Sequence, residues 1–422
     1  MNGAFVHQVH PLCRLAGFSP ASFSELIDML RPNSLAFTVL LAYLMSFGPL
    51  SIDLFLPSMP EIGRALDAPA SQIQLTISLY LVAFAIGQII YGPLSDRVGR
   101  VPVLLAAFAV YCVASVLCWF APSIETLVIG RFLQGLGASA APVVVRAIVR
   151  DLHEGVHAGR QLSLMMTFTG IMPILAPLTG GALLTLSGWR AGFVFQFAAG
   201  ALAFFLVWRC IARTRPPTAS TLPVLISQYR VIGTSPVFLA NLFIGCFTYT
   251  GLFAWIAGSP FVLQNLQGLT PLQFSLCYAG SCAGFIAGGA VATRVVVRLG
   301  LDRTAGIGAA ILTLAGAGMI VGTAVGEWLA LTFTISMAVY LCGMAFVQSQ
   351  VTAAGLTPFP TSAGVASALI GFAQQCSGAI MGAVVGNSLA ATPWPMAIGV
   401  AVAGGGALLL WALTRRIRVS AV

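Results

Sequence analysis

Residues Gly92–Leu104 read GPLSDRVGRVPVL, and the reading of this stretch decides the fold. It lies between two long apolar runs and places Asp96, Arg97 and Arg100 within five residues. Gly92 and Pro93 are expected to end the preceding helix, Gly99 to allow a tight turn, and Pro102 to sit in the first turn of the next helix. The stretch is therefore a very short charged hairpin between two helices of membrane length. A carboxylate at Asp96 suits a helix N-terminus, where exposed N–H groups and the helix dipole stabilise negative charge. The two arginines beside it mark the loop as cytoplasmic. An ordinary positive-inside turn accounts for the arginines but not for the ordered spacing of Gly, Leu, Asp, Arg, Gly and Arg.

Composition extends this reading to the whole chain. Of 422 residues, 58% are hydrophobic and only 7% are charged, with a mean hydropathy of +0.96. A water-soluble domain of this size cannot expose so little polar surface, so lipid is the solvent for most of the chain. The net charge of +9 comes from arginine alone, because the chain contains no lysine. The arginines are scattered between apolar runs rather than gathered on an aromatic-interleaved basic face, which excludes nucleic acid as a partner. The nine cysteines mostly fall inside apolar segments without CxxC or His-paired spacing, and read as small buried hydrophobes rather than disulfides or metal ligands.

Residues 1–34 form an N-terminal cytoplasmic extension without the features of a cleaved signal peptide. Phe23, Leu26, Ile27 and Leu30 follow helical spacing there, which suits a short helix on the membrane surface; translation from Met29 is the alternative. Twelve runs near the ~20 residues that a span requires follow. They are expected at 35–57, 72–91, 101–121, 126–148, 161–186, 192–209, 236–262, 272–294, 304–324, 328–350, 362–387 and 394–413. The polar segment 210–235, with Arg213, Arg215, Pro216, Pro217 and Arg230, separates a six-helix half at 35–209 from a second at 236–414, and 415–422 is a tail. With both termini cytoplasmic, 17 of the 20 arginines lie inside, Arg64 and Arg190 lie outside, and Arg131 is left within the fourth span. Gly289, Arg294, Arg298, Gly300, Asp302 and Arg303 echo the opening stretch after the eighth span, a weak internal repeat of the kind that paired transporter halves carry.

Charge inside a span costs at least about 2.5–3.5 kcal/mol, so intramembrane ionisable residues are functional candidates. Only Asp53 and Arg131 qualify. No span contains a histidine, since His7, His10, His153 and His157 all lie outside them. Asp53 is thus the carboxylate able to carry a proton, with proton and substrate competing for it; the alternative is that it braces the outer end of the first helix. Arg131 either serves coupling or is a structural arginine, and Gln134, one turn on, shares its face. Tyr43, Met45, Asn241, Tyr249, Trp255, Gln348 and Gln374 are the candidate cavity residues, a weakly polar aromatic set suited to lipophilic molecules rather than sugars. Glycines at four-residue spacing, Gly280, Gly284 and Gly288 in the eighth span and Gly378, Gly382 and Gly386 in the eleventh, predict close contacts of the fifth with the eighth helix and of the second with the eleventh.

Gly92, Leu94, Asp96, Arg97, Gly99 and Arg100 resemble the loop signature of the major facilitator superfamily. Three further stretches resemble its twelve-helix drug:proton antiporters of the bicyclomycin- and chloramphenicol-resistance type. They are Asp53-Leu-Phe-Leu-Pro57-Ser-Met-Pro60, with Phe55 where that group has Tyr; Arg131-Phe-Leu-Gln134-Gly135-Leu-Gly137-Ala138; and Ala176-Pro177-Leu178-Thr179-Gly180-Gly181. Arg146-Ala-Ile-Val-Arg150-Asp151 also fits. The resemblance implies an all-α integral membrane protein with twelve transmembrane helices in two six-helix halves. It implies a bacterial inner-membrane exporter of lipophilic antimicrobials working by alternating access. The proton gradient is its energy source, no cofactor or metal is needed, and it is not an enzyme. It is expected to act as a monomer in the lipid bilayer. Coupling is implied for Asp53 and Arg131, an antiporter-motif role for Pro173, Pro177, Gly180 and Gly181, and a cytoplasmic gate for Gly92, Asp96, Arg97, Gly99, Arg100, Arg150 and Asp151, the loop meeting the start of the eleventh helix. Proton-coupled export or import of a small metabolite remains the alternative on the same fold.

Overall fold

The computed structural model describes residues 34–152, 155–211, 222–326, 329–359, 362–388 and 392–419. The expected surface helix at 23–30 and most of the polar linker before Leu222 lie outside the described residues. Among those described there is helix and no strand, as lipid demands of a chain with no closed barrel, since every backbone polar group must be satisfied within its own segment.

Ten helices are long and apolar enough to cross a membrane, and the bent pair Leu35–Met45 with Phe47–Ala65, angled at 49°, makes an eleventh crossing. One of the ten, Pro271–Val325, is 55 residues long. At 1.5 Å per residue it would extend ~80 Å, more than twice the ~30 Å hydrocarbon core. It reverses at Gly300, whose φ of 77° no other residue type adopts readily, and so makes two crossings. The described residues therefore carry twelve. After the bent first span come Ala70–Val98, Arg100–Trp119, Ile124–Leu152, Leu164–Ser187 and Arg190–Cys210. A linker helix, Leu222–Gly233, occupies part of the segment expected to be polar connection. Its Ile232 is buried with Phe238, Ala366 and Ile370. The seventh span is Pro236–Leu266; the eighth and ninth share Pro271–Val325; Leu329–Leu356, Ala363–Ser388 and Trp394–Leu413 complete the set.

Side-chain caps start several of these helices. Ser34, Ser123 and Ser235 accept from the backbone N–H three residues on, and Thr270 with Gln273 forms a capping box ahead of Pro271. Burial sorts the spans: 72% of the fourth is enclosed but only 28% of the sixth, so the fourth is central and the sixth faces lipid. Leu186, Val297 and Leu314 are among the large apolar side chains left exposed on the rim, as a bilayer-facing surface requires.

Two features of the opening stretch differ from expectation. The second helix does not stop at Pro93 but continues to Val98. The helix runs on through the proline, as spans packed in a bundle tolerate, and Ser95 Oγ beyond it donates to the Gly92 carbonyl at 2.9 Å. The turn is then Gly99 alone, at φ 106°. Asp96 consequently lies in the last turn of the second helix rather than at a helix N-terminus, and its stabilising partner is the side chain of Arg100.

Glycine faces decide which helices approach. The second and eleventh helices pack where Gly382 and Gly386 face Gln74, and the fifth meets the eighth where Gly181 faces Ser275 and the Pro271 carbonyl. These are the two expected seams between the halves. The eighth-span glycines do something else: a Cβ on Gly284 would collide with the backbone of Ala338, and one on Gly288 with that of Cys342. They pack within the second half, against the tenth helix, because the opposite face of the eighth helix meets the fifth. Gly284→Ala is expected to lower stability by about 1–3 kcal/mol, whereas Gly289→Ala, with nothing near its Cβ position, is expected to be neutral. Thermal unfolding in detergent separates the two.

Candidate functional site

The two ends of the bundle are named here by Gly99 and by Trp189. Asp53 ends the helix Phe47–Asp53 in the bent first span, on the Trp189 side. The next residues, Leu54, Phe55 and Ser58, line a small crevice with Trp189 itself. Asp53 is 4% exposed, so it does not brace a wet helix end. Its Oδ1 accepts a hydrogen bond from Tyr278 Oη at 3.0 Å, and Tyr278 stands on the eighth span, in the other half. The Tyr278 ring stacks on Trp255 of the seventh span, with centroids 6.4 Å apart. Tyr249 and Cys282 are near enough to feel the Asp53 charge, and Tyr80 approaches it from the second span. None of the described ion pairs reaches Asp53.

Arg131 is fully buried in the first half. Its guanidinium lies 4.6 Å from the ring centroids of both Phe55 and Tyr80, an arrangement in which two aromatic faces replace a counter-ion. Nη1 donates to Gln134 Oε1 at 2.9 Å, so the face shared at three-residue spacing is used. Gln134 Nε2 in turn donates to Ser115 Oγ and to Gln196 Oε1, each at 2.8 Å. Ser51 and Tyr111 join hydroxyls at 2.7 Å beside this chain. Arg131 Nε and Nη2 have no protein partner. Asp53 and Arg131 are therefore not a salt bridge. The carboxylate is tied across the halves, and the guanidinium belongs to a network inside one half.

The expected cavity residues do not converge on one pocket. Tyr43 donates to the Ala199 carbonyl at 2.7 Å, and Met45 is buried in the core. Asn241 donates to Val237 of its own helix at 2.9 Å, because an amide four residues along a helix finds that carbonyl before any neighbour. Gln374 donates to Gln348 at 3.1 Å, a half-buried polar pair in the second half. Trp255 sits apart from these, against Tyr278, with its Nε1 unpartnered; Tyr249 tilts onto Phe253. A groove of about 510 Å³ between the Pro60–Ala70 turn and Phe261 is lined by none of them.

At the Gly99 end, Arg100 gathers both acids: it pairs with Asp96 and with Asp151 at 3.0 Å, and donates to Ser95 Oγ at 2.7 Å. Arg97 is exposed. The loop acids are thus held inside the first half, and the residue that lies against Gly364 at the start of the eleventh helix is Arg150. The second half repeats the device. Arg418 of the short tail helix pairs with Asp302 at 3.1 Å, two residues beyond the Gly300 turn. In the fifth span the chain is broken at Gly170–Ile171 ahead of Pro173; Pro177 lies inside the following helix, and Gly180 packs on the Leu54 carbonyl, beside Asp53.

Sequence reasoning missed Tyr278, Gln196 and Gln74. The first two sit singly in apolar runs with no motif around them. Gln74, 1% exposed, lies in the second–eleventh seam with both ends of its amide unpartnered, as is the Ser78 hydroxyl one turn on. An unpaired buried polar group costs about 1–3 kcal/mol. Gln74→Leu is expected to raise the melting temperature of this arrangement of the halves and to slow their separation; a lower melting temperature would show that the amide is satisfied.

The comparisons with known proteins agree with this architecture. A sequence model of the Major Facilitator Superfamily matches residues 35–383. The chain is 36% identical over 397 residues to the uncharacterized MFS-type transporter YdgK of Bacillus subtilis (strain 168), covering 90% of this chain and 96% of that protein. It is 30% identical over 361 residues to the multidrug resistance protein MdtL of Escherichia coli O127:H6, covering 84% and 89%. Among solved structures, a D-xylose-proton symporter superposes with a TM-score of 0.73 at 17% identity, covering 90% of this chain and 98% of that one. A bacterial homolog of the human lysosomal transporter Spinster, in its inward-facing and unoccupied conformation, gives 0.67 at 16%, covering 91% and 95%. At these identities the structural likeness speaks to the fold alone.

Proposed function

This chain belongs to the major facilitator superfamily, and on that premise we propose that it is a proton-coupled exporter of small lipophilic drugs in a bacterial inner membrane, working by alternating access. It is a multi-pass membrane transporter and not an enzyme. The arginine bias supports a cytoplasmic side for the Gly99 end and for both termini. The Trp189 end then faces outward, and there Tyr278–Asp53 and Gln264–Pro57 hydrogen bonds join the two halves.

The observation that carries the reading is Asp53: a buried carboxylate with no counter-ion among the described residues, hydrogen-bonded from one half to the other. An ionised carboxylate in that place is costly, and either a proton or a cationic cargo discharges it. One site that accepts either, but not both, exchanges them across the membrane. The aromatic surfaces of Trp255, Tyr278 and Tyr249 around it suit lipophilic rather than sugar-like cargo, and the relationship to MdtL points the same way. The proton gradient supplies the energy, no cofactor takes part, and one chain suffices.

The test is gradient-driven movement of a chemically varied drug panel in everted membrane vesicles, with and without a protonophore. Protonophore-sensitive uptake of lipophilic drugs is the expected result. Movement of a polar metabolite alone would leave the fold and the carboxylate in place and change the task; no movement of any drug would end the drug reading.

A further inference from the structure

The bond between Tyr278 and Asp53 crosses the interface that must open for anything to leave outward. Asp53 sits on the first span and Tyr278 on the eighth, 225 residues away, and both are nearly inaccessible. A neighbouring cross-half bond, Gln264 Nε2 to the Pro57 carbonyl at 3.2 Å, lies farther toward the same end. Tyr278 from the eighth span touches the carboxylate, and Tyr80 from the second span, Tyr249 from the seventh and Cys282 from the eighth lie within electrostatic range of it. No arginine among the described ion pairs reaches it. The Tyr278 hydroxyl is therefore the donor that an ionised Asp53 has, and a hydrogen bond to a charged acceptor in a dry, low-dielectric setting is a strong one.

Resting on the exporter reading above, we propose that Tyr278 is the positioning residue that makes the outer gate obey Asp53. Three claimants contend for one carboxylate: the Tyr278 hydroxyl, a proton and a cationic cargo. While Asp53 is ionised and empty, Tyr278 holds the first and eighth spans together and the outside stays shut. A cation that binds Asp53 from the cytoplasmic side displaces the hydroxyl, and the two spans part. Outside, a proton takes the carboxylate and the cargo leaves. The halves return, the proton is released inward, and Tyr278 closes on the bare carboxylate again. The empty, ionised carrier cannot open outward, so protons do not cross without cargo.

The loss of that hydroxyl is expected to show as a proton leak. Full-length protein in liposomes, with a trapped pH-sensitive dye and no drug present, should hold an imposed pH gradient in the wild type. Tyr278→Phe should dissipate it roughly tenfold faster, the loss of one charge-assisted hydrogen bond. Adding Asp53→Asn to that variant should abolish the leak. Tyr340→Phe is the control for losing a buried tyrosine hydroxyl: Tyr340 donates to the Thr248 carbonyl at 3.1 Å within the second half, and its variant should hold the gradient. Tyr278→Leu removes the same hydroxyl through a different side chain and reads the same loss if the Phe variant does not insert. A Tyr278 variant as tight as wild type, or a leak that survives Asp53→Asn, overturns the proposal. The exporter reading fails separately, through the absence of drug-driven proton flux in the wild type.

Discussion

Asp53→Asn is expected to remove proton-driven drug export down to the background of cells lacking the protein, while the variant inserts and melts as the wild type does. The side chains are nearly isosteric, and the amide Oδ1 still accepts the 3.0 Å hydrogen bond from Tyr278, so the packing across the halves persists. What disappears is the ability to change charge. A carboxylate in this place swings between an ionised form that costs several kcal/mol in the bilayer interior and a neutral form that does not; an amide has only the second. The exchange of proton for cargo loses its driving step, yet the helices still rock. The variant should therefore show no accumulation of drug against a gradient at any imposed pH difference. Full uphill export by Asp53→Asn would move the proton site elsewhere.

Arg131→Lys is expected to reduce export at least about tenfold and to lower stability by about 1–3 kcal/mol, although the charge is conserved. The guanidinium is flat and delocalised, and it lies over two rings at once, 4.6 Å from the centroids of Phe55 and of Tyr80. An ammonium is a compact point that cannot lie between two rings. Loosening Arg131 frees Gln134, and through it Ser115 and Gln196, so the damage spreads over the third, fourth and sixth spans. Phe55, one of the two rings, is two residues from Asp53 in the bent first span. Export and thermal unfolding measured on the same preparation check the prediction. Wild-type export by the lysine variant would mean that charge alone matters at this position.

The membrane class, the twelve crossings and the two ionisable candidates are legible in the amino-acid sequence. Each rests on a property that is local along the chain: a ~20-residue apolar run identifies itself, and a lone Asp or Arg inside one is conspicuous wherever it points. Gly99 is legible as a turn for the same reason, since a tight reversal needs a backbone conformation that glycine adopts freely. The end of the second helix is not legible in this way. Pro93 is a helix breaker in water, whereas inside this packed bundle the helix runs through it to Val98. The different partner of Asp96 is a direct consequence.

Sequence by itself determined that this is a polytopic helical membrane protein of paired halves, with Asp53 and Arg131 as its buried charges. It did not determine which way any helix is turned. A span that is apolar all round carries little record of its inward face, so Gly284 and Gly288 proved to address the tenth helix rather than the fifth. Gln74 proved to sit unpaired in the seam between the halves. Tertiary structure alone decided that Asp53 and Arg131 do not pair with each other, and that the partner of Asp53 is a tyrosine in the opposite half. The physical reason is that a hydrogen bond of 3 Å depends on the rotation and depth of two helices from separate halves. Those positions are set only when the halves close on each other.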